Sequence, residues 1–263
     1  MNNTFTLYQV DAFTDKLFHG NPAGVCILEE WLNDRVMQNI AAENCLPETA
    51  FIVQKKDAVE IRWYTPTTEV DLCGHATLAA AHVLFTHHSV KGNLIEFFSH
   101  RSGYLPVERN NDLITLNFPK DSYTKIQVPD VLINAFQMSP IESYRGKSDF
   151  LLIFASQKDI EELNPDLAMI KSVGGRGVIV SAPGNEVDFV SRFFAPQFGI
   201  NEDPVTGSAH TTLTPYWSKI TGKTKLSALQ LSKRGGELIC ELEGERVLIS
   251  GKAVTYLVGE IEI

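Results

Sequence analysis

Three short stretches carry residue types that can move protons or hold anions. VDLCGHATLAAAH, residues 70–82, sets Cys73, Gly74 and His75 at the head of an alanine-rich run. NCLPETAFIV, residues 44–53, places Glu48 where a helix ends and an apolar strand begins. EDPVTGSAH, residues 202–210, places Asp203, Gly207 and Ser208 ahead of a second apolar stretch. Cysteine beside histidine can be a metal site, a nucleophile with its base, or the mouth of an anion pocket. A metal is not expected, because Cys73 and His75 are two apart and no second ligand pair follows. His19, His82, His87, His88, His100 and His210 show no H-x-x-x-H spacing beside acidic partners. VGGRGV, residues 173–178, leads into a strand and reads as a turn, not a nucleotide loop.

Each candidate also has a plainer role. A glutamate is most often an exposed loop residue. At the mouth of an apolar strand, however, partial desolvation favours the protonated carboxyl, which can then move a proton. His75 fits a satisfied core histidine as well as a catalytic one. Asp203 precedes Pro204 and fits a loop or helix cap. On the residues alone both readings stay open.

The chain repeats itself. RWYTP at 62–66 recurs as RFFAP at 192–196, 130 positions on. SHRSGYL at 99–105 recurs as SKRGGEL at 232–238, 133 positions on, and the same offset carries Gly74 to Gly207 and Asn110-Asn111 to Glu243-Gly244. Each half reads as a strand (60–64 or 187–194), a proline and loop, and then a helix (74–85 or 207–221). Three strands follow, near 94–98, 104–108 and 114–118, or 225–231, 237–242 and 247–250. Further helices are expected at 32–44 and 165–172. ATLAAAHVLF is small or apolar on nearly every face, and such a helix is usually buried. The expected architecture is a curved sheet around a central helix, made twice. The boundary is placed in the polar stretch PKDSYTKIQVPD, giving halves 1–120 and 121–263 with the active site in a cleft between them.

Each half would present a helix start, with unpaired N–H groups and a partial positive charge of about half a unit. Gly74 and Gly207 let the backbone approach a ligand closely, so the two starts suit a carboxylate or a carbanion-like transition state. Aligning AFIV (50–53) with GVIV (177–180) puts Glu48 opposite Gly175, so only one half carries the glutamate.

Composition narrows the classes. The chain has 263 residues, 44% hydrophobic and 21% charged, which suits a soluble globular protein. With a net charge of −9 and no lysine–arginine run, nucleic acid is not an expected partner. MNNTFTLYQVDAF lacks a basic segment followed by an apolar run, so no signal peptide is expected. No apolar stretch approaches the roughly 18 residues of a membrane span. Four scattered cysteines without a CxxC point to reduced thiols in a cytoplasmic protein.

QVDAFTDKLFHGNPAGV at 9–25, LPETAF at 46–51, DLCGHATLA at 71–79 and EDPVTGSAH at 202–210 together resemble the PhzF-like family of phenazine-biosynthesis proteins. The resemblance implies an α+β, diaminopimelate-epimerase-like fold of two pseudo-symmetric curved-sheet barrels, each around a central helix. It implies an isomerase without metal or organic cofactor that moves a proton on a small cyclic or unsaturated carboxylic acid, and a homodimer. The phenazine enzyme itself relocates a proton in a dihydro-hydroxyanthranilic acid. Carried over, Glu48 is the acid/base, His75 and Asp203 are catalytic, and Gly74, Gly207 and Ser208 bind substrate. Two departures matter. Pro47 stands where the phenazine enzyme has a serine. Cys73 aligns with a catalytic cysteine of related epimerases, but DPVTGS supplies no second thiol. The alternatives are an amino-acid epimerase or racemase using Cys73 with a carboxylate, and a non-catalytic binder of small acids.

Overall fold

The computed structural model describes residues 4–56 and 58–263. Residues 1–3, part of the opening stretch read above for a leader, lie outside them. Two compact units emerge: residues 1–117 with 250–263, and residues 118–249.

The first unit runs β1 (Thr4–Ala12), β2 (Asn21–Leu28), α1 (Asp34–Asn44), β3 (Glu48–Gln54), β4 (Val59–Tyr64), β5 (Glu69–Val70), α2 (Gly74–His87), β6 (Leu94–Ser99), β7 (Gly103–Asn110) and β8 (Leu113–Pro119). β2 and β3 are parallel, β3 and β4 antiparallel, β4 and β6 parallel, and β6 and β7 antiparallel. The enclosed helix is α2. From His75 to Phe85 every residue is buried except His82, which is half-buried. Its small residues admit close packing, and Leu78 and Leu84, both fully buried, contribute roughly 2 kcal/mol each by leaving water. α1 covers another face of the sheet, with Met37, Ile40 and Ala41 against Cys26, Phe51, Val53 and Tyr64. It starts at Asp34, later than the expected residue 32, because the Asn33 side chain caps it by accepting from the Arg35 N–H.

The second unit continues with β9 (Tyr123–Lys125), α3 (Asp130–Phe136), β10 (Glu142–Gly146), β11 (Asp149–Ile153), α4 (Gln157–Glu162), α5 (Leu167–Ser172), β12 (Gly177–Pro183), β13 (Phe189–Phe194), α6 (Gly207–Thr221), β14 (Lys225–Gln230), β15 (Gly236–Glu243) and β16 (Arg246–Gly251). β11 and β12 are parallel, β12 and β13 antiparallel, β13 and β14 parallel, and β14 and β15 antiparallel. This is the pairing order of the first unit. The helix in the position of α2 is α6, which buries Leu213, Tyr216 and Trp217. Trp217 stacks on Phe189 with ring centres 5.7 Å apart. On the other face, α3, α4 and α5 cover a cluster that includes Phe136, Leu152, Phe154, Val180 and Phe194. α5 begins two residues later than expected, where the Asp166 carboxylate caps the N–H groups of Ala168 and Met169.

The compact units divide the chain differently from the contiguous halves 1–120 and 121–263. The last strand, β17 (Ala253–Glu262), lies antiparallel on β1, so residues 250–263 return to the first unit. Pairing across some 250 positions leaves no local signal in the sequence. No described helix is long and apolar enough to cross a membrane.

The repeated RWY and RFF stretches carry one device used twice. Arg62 makes a two-pronged pair with Glu69, Nε to Oε1 at 2.7 Å and Nη2 to Oε2 at 3.0 Å. Arg192 pairs with Glu202 in the same way, at 2.6 and 3.0 Å. Each glutamate stands four residues before the helix cap, Cys73 or Thr206. Each guanidinium also lies over the aromatic ring two residues on, Tyr64 at 5.3 Å and Phe194 at 5.0 Å. The remaining donors reach a helix end: Asp34 in the first unit, and the carbonyls of Ile160 and Leu163 in the second. The fork ties the loop before each central helix to the sheet. Both partners of the second pair are largely buried. Arg192→Ala and Glu202→Ala should therefore each destabilise by roughly 3 kcal/mol in urea unfolding. The double variant should lose clearly less than the sum. Strict additivity would show that the pair is not a clamp.

Candidate active site

In the first unit, two elements converge on one point. β3 opens with Glu48, which the parallel register sets beside Ala23 of β2. The strands approach closely there: a Cβ on Gly24 would lie 2.8 Å from the Thr49 hydroxyl. The other element is the first turn of α2. Its cap residue, Cys73, makes no side-chain capping bond, which leaves the thiol for other contacts.

His75 sits at the centre of the resulting cluster. Its Nε2 is 3.1 Å from Glu48 Oε2, with the side chains only 7% and 12% exposed. Its Nδ1 is 3.2 Å from the Asn21 amide nitrogen and 3.5 Å from Cys73 Sγ. Burial disfavours an imidazolium, but the neighbouring Cys73 and Glu48 outweigh it and hold the His75 pKa well above the ordinary histidine value. Of the two, the carboxylate is the cause we stand behind, because burial and the charge of Glu48 push the Cys73 thiol up, away from its anion. The Asn21 amide serves either ring state. Its N–H can donate to Nδ1 of a neutral ring, and, turned over, its C=O accepts from an imidazolium. Carboxyl and imidazole thus stand as a contacting pair, with the imidazolium favoured beside the carboxylate.

Glu48, Cys73 and His75 each offer an atom within 4.8 Å of the others, so they are the described residues that could hold a metal ion. Holding one would require Cys73 and His75 to give up protons.

In the second unit, Asp203, Gly207 and Ser208 gather at the start of α6. Asp203 Oδ2 accepts from the Thr206 hydroxyl at 2.5 Å. Gln230 braces the turn, accepting from the Thr206 N–H at 2.8 Å and donating to the Asp203 carbonyl at 2.8 Å. Ser208 Oγ accepts from Arg176 Nη1 at 2.7 Å.

The six expected site residues therefore form two groups: Glu48, Gly74 and His75 in one unit, Asp203, Gly207 and Ser208 in the other. The sequence reading missed Asn21, although it lies within the quoted GNPAGV. It also missed Arg176, read only as part of a turn. Aligning AFIV with GVIV sets Arg176 opposite Thr49, beside the catalytic candidate, and that was the available signal.

A curved sheet around a buried helix, made once in each unit, is the diaminopimelate-epimerase-like fold. The family described as phenazine biosynthesis-like protein (PhzC-PhzF) matches residues 10–259, and the chain belongs to it. It is 47% identical over 258 residues to an uncharacterised isomerase of Pseudomonas aeruginosa, covering 98% of this chain and 99% of that one. The crystal structure of a PhzF-family protein from Enterococcus faecalis superposes with a TM-score of 0.97 at 44% identity, covering 99% of this chain and 100% of that one. A hydroxyproline epimerase from Agrobacterium vitis shares the fold at 10% identity, with a TM-score of 0.66 over 99% of this chain and 93% of that one.

Of the four cysteines, Cys45 is exposed and Cys26, Cys73 and Cys240 are buried. Burial pushes the thiols of Cys26 and Cys240 up to about 12, and that of Cys73 up as well. Brief alkylation of the native protein at neutral pH should add one group, at Cys45, by intact mass and peptide mapping. Modification of Cys73 as fast as Cys45 would contradict a thiol kept unreactive by burial.

Proposed function

We propose that the protein is a cofactor-independent isomerase that moves a proton on a small cyclic or unsaturated carboxylic acid, with Glu48 as the acid/base. The observation that carries this is the 3.1 Å contact between the largely buried Glu48 and His75. Such a pair can release a proton to a substrate carbon from one member and take one back, while the other member adjusts its charge. His75 is the proton-sharing partner. In the first unit, the Gly74 amide at the start of α2 is proposed to hold the substrate carboxylate beside Glu48 and His75. In the second unit, the start of α6 offers the same kind of anion site through the Gly207 amide and Ser208, with Asp203 beside it to accept or share protons with polar substituents. The isomerase names among the relatives support the reaction class. The acidic chain and its free cysteines support action in the cytoplasm, and family resemblance supports a homodimer.

A second reading draws on the 3.5 Å contact of Cys73 with His75: an epimerase in which the thiol is the opposing base. It predicts Cα deuterium exchange into an amino acid and loss of that exchange on modifying Cys73. The raised Cys73 pKa weighs against it.

Glu48→Gln keeps the shape and removes the exchangeable acid. With an acid found by thermal-shift screening, deuterium uptake from heavy water should fall about 10²- to 10⁴-fold, while binding changes little. Uptake at the wild-type rate would remove Glu48 from its role.

A further inference from the structure

Arg176 is held more firmly than a turn residue needs to be. Its Nε donates to Asp149 Oδ1 at 3.0 Å, and its Nη2 donates to Oδ2 of the same carboxylate. Asp149 is 3% exposed, at the first position of β11, so the fork rests on a buried anchor. The guanidinium lies over the Phe193 ring at 5.3 Å. The Arg176 N–H donates to the Ser148 carbonyl at 2.8 Å, and Gln197 Nε2 donates to the carbonyls of Gly175 and Arg176. Burial alone would disfavour the guanidinium charge, and Asp149 more than offsets it. The side chain is nevertheless 37% exposed.

What this held group does is donate one further N–H, from Nη1, to Ser208 Oγ at 2.7 Å. A guanidinium has donors and no acceptor, so this bond has only one direction. The serine oxygen accepts, and its own proton cannot return along the same bond. The hydroxyl proton is left for a third group that accepts. Ser208 is in the first turn of α6, where backbone N–H groups have no acceptor within the helix. An anionic oxygen meets the requirement of both.

We propose that Arg176 is a positioning residue. Anchored by Asp149, it fixes the Ser208 hydroxyl as a donor and so sets the preference of this helix start for a carboxylate over a neutral amide. The inference rests on the proposed function only in taking a carboxylic acid as the ligand. Lysine could not replace it, because an ammonium cannot grip both Asp149 oxygens and reach Ser208 in the same geometry.

The test measures affinities by NMR titration for two probes, cyclohex-1-ene-1-carboxylate and its carboxamide. The proteins are the full chain, Arg176→Lys, Ser208→Ala and the double variant. The wild type should favour the carboxylate. Each single variant should lose about tenfold of that preference, with carboxamide affinity nearly unchanged, and the double should lose no more than the weaker single. Should Arg176→Lys fail to fold, Arg176→Gln with Asp149→Asn removes both charges of the buried pair and carries the same expectation. An unchanged preference in the Arg176 variant, multiplicative losses in the double, or a wild type that does not favour the carboxylate would each overturn the proposal. Proton exchange in Glu48→Gln is a separate readout. Absence of exchange by the wild type, with the carboxylate preference intact, would count against the Glu48 reading alone.

Discussion

A helix with no polar face has to be enclosed, and α2 is such a helix. Its buried run from His75 to Phe85 leaves the sheet no choice but to close around it. Apart from His82, which is half-buried and meets the Thr255 hydroxyl at 2.9 Å, its polar side chains lie towards its ends. The first turn is where His75 meets Glu48, and where backbone donors have no internal partner. The location of the candidate site follows from the requirement to bury an alanine-rich stretch. α6 is enclosed as well, although it buries polar residues such as His210, Thr212 and Thr214 along its length, and its start collects Asp203, Gly207 and Ser208.

Enclosure also sets the chemistry. In a dry place a lone carboxylate, imidazolium or thiolate is costly, and each is pushed towards neutrality. At His75 the neighbouring Glu48 carboxylate, 3.1 Å away, offsets the cost of the buried imidazolium. At Cys73, burial and the charge of Glu48 outweigh the neighbouring His75 and push the thiol up, away from its anion. Three reactive residue types therefore stand together in one cluster: a carboxyl, an imidazole and a buried thiol. The arginine forks at Glu69 and Glu202 hold the two loops that lead into the helix starts. A shift there would move the first helical turn against the sheet.

Much of this could be read from the residues. Strands are expected near 104–108 and 237–242, and the structure gives β7 (Gly103–Asn110) and β15 (Gly236–Glu243), whose ends differ by the same 133 positions as the repeat. The offset is visible because tight turns demand particular residues: Asn111 and Gly244, at matching positions, both take φ of 56°. The apolar helix, the asymmetric Glu48 and the family motifs were legible for similar local reasons. The partners that complete the sites were not. Asn21 and His75 are 54 positions apart, and Arg176 and Ser208 are 32 apart. The return of β17 to β1 belongs to the same class, because such contacts are set by the closed sheet and leave no periodicity in the chain.

The account turns on whether Glu48 and His75 share protons as one buried unit. The most direct measurement is a pH titration of the His75 ring nitrogens by ¹⁵N NMR, in the wild type and in Glu48→Gln. The pair predicts that His75 titrates well above the usual histidine range in the wild type. Without the carboxylate, burial should pull it down by more than one pH unit, roughly the shift expected from losing an opposite charge at that distance. A His75 that titrates at the same pH in both proteins would show that the glutamate and the imidazole are neighbours without being partners.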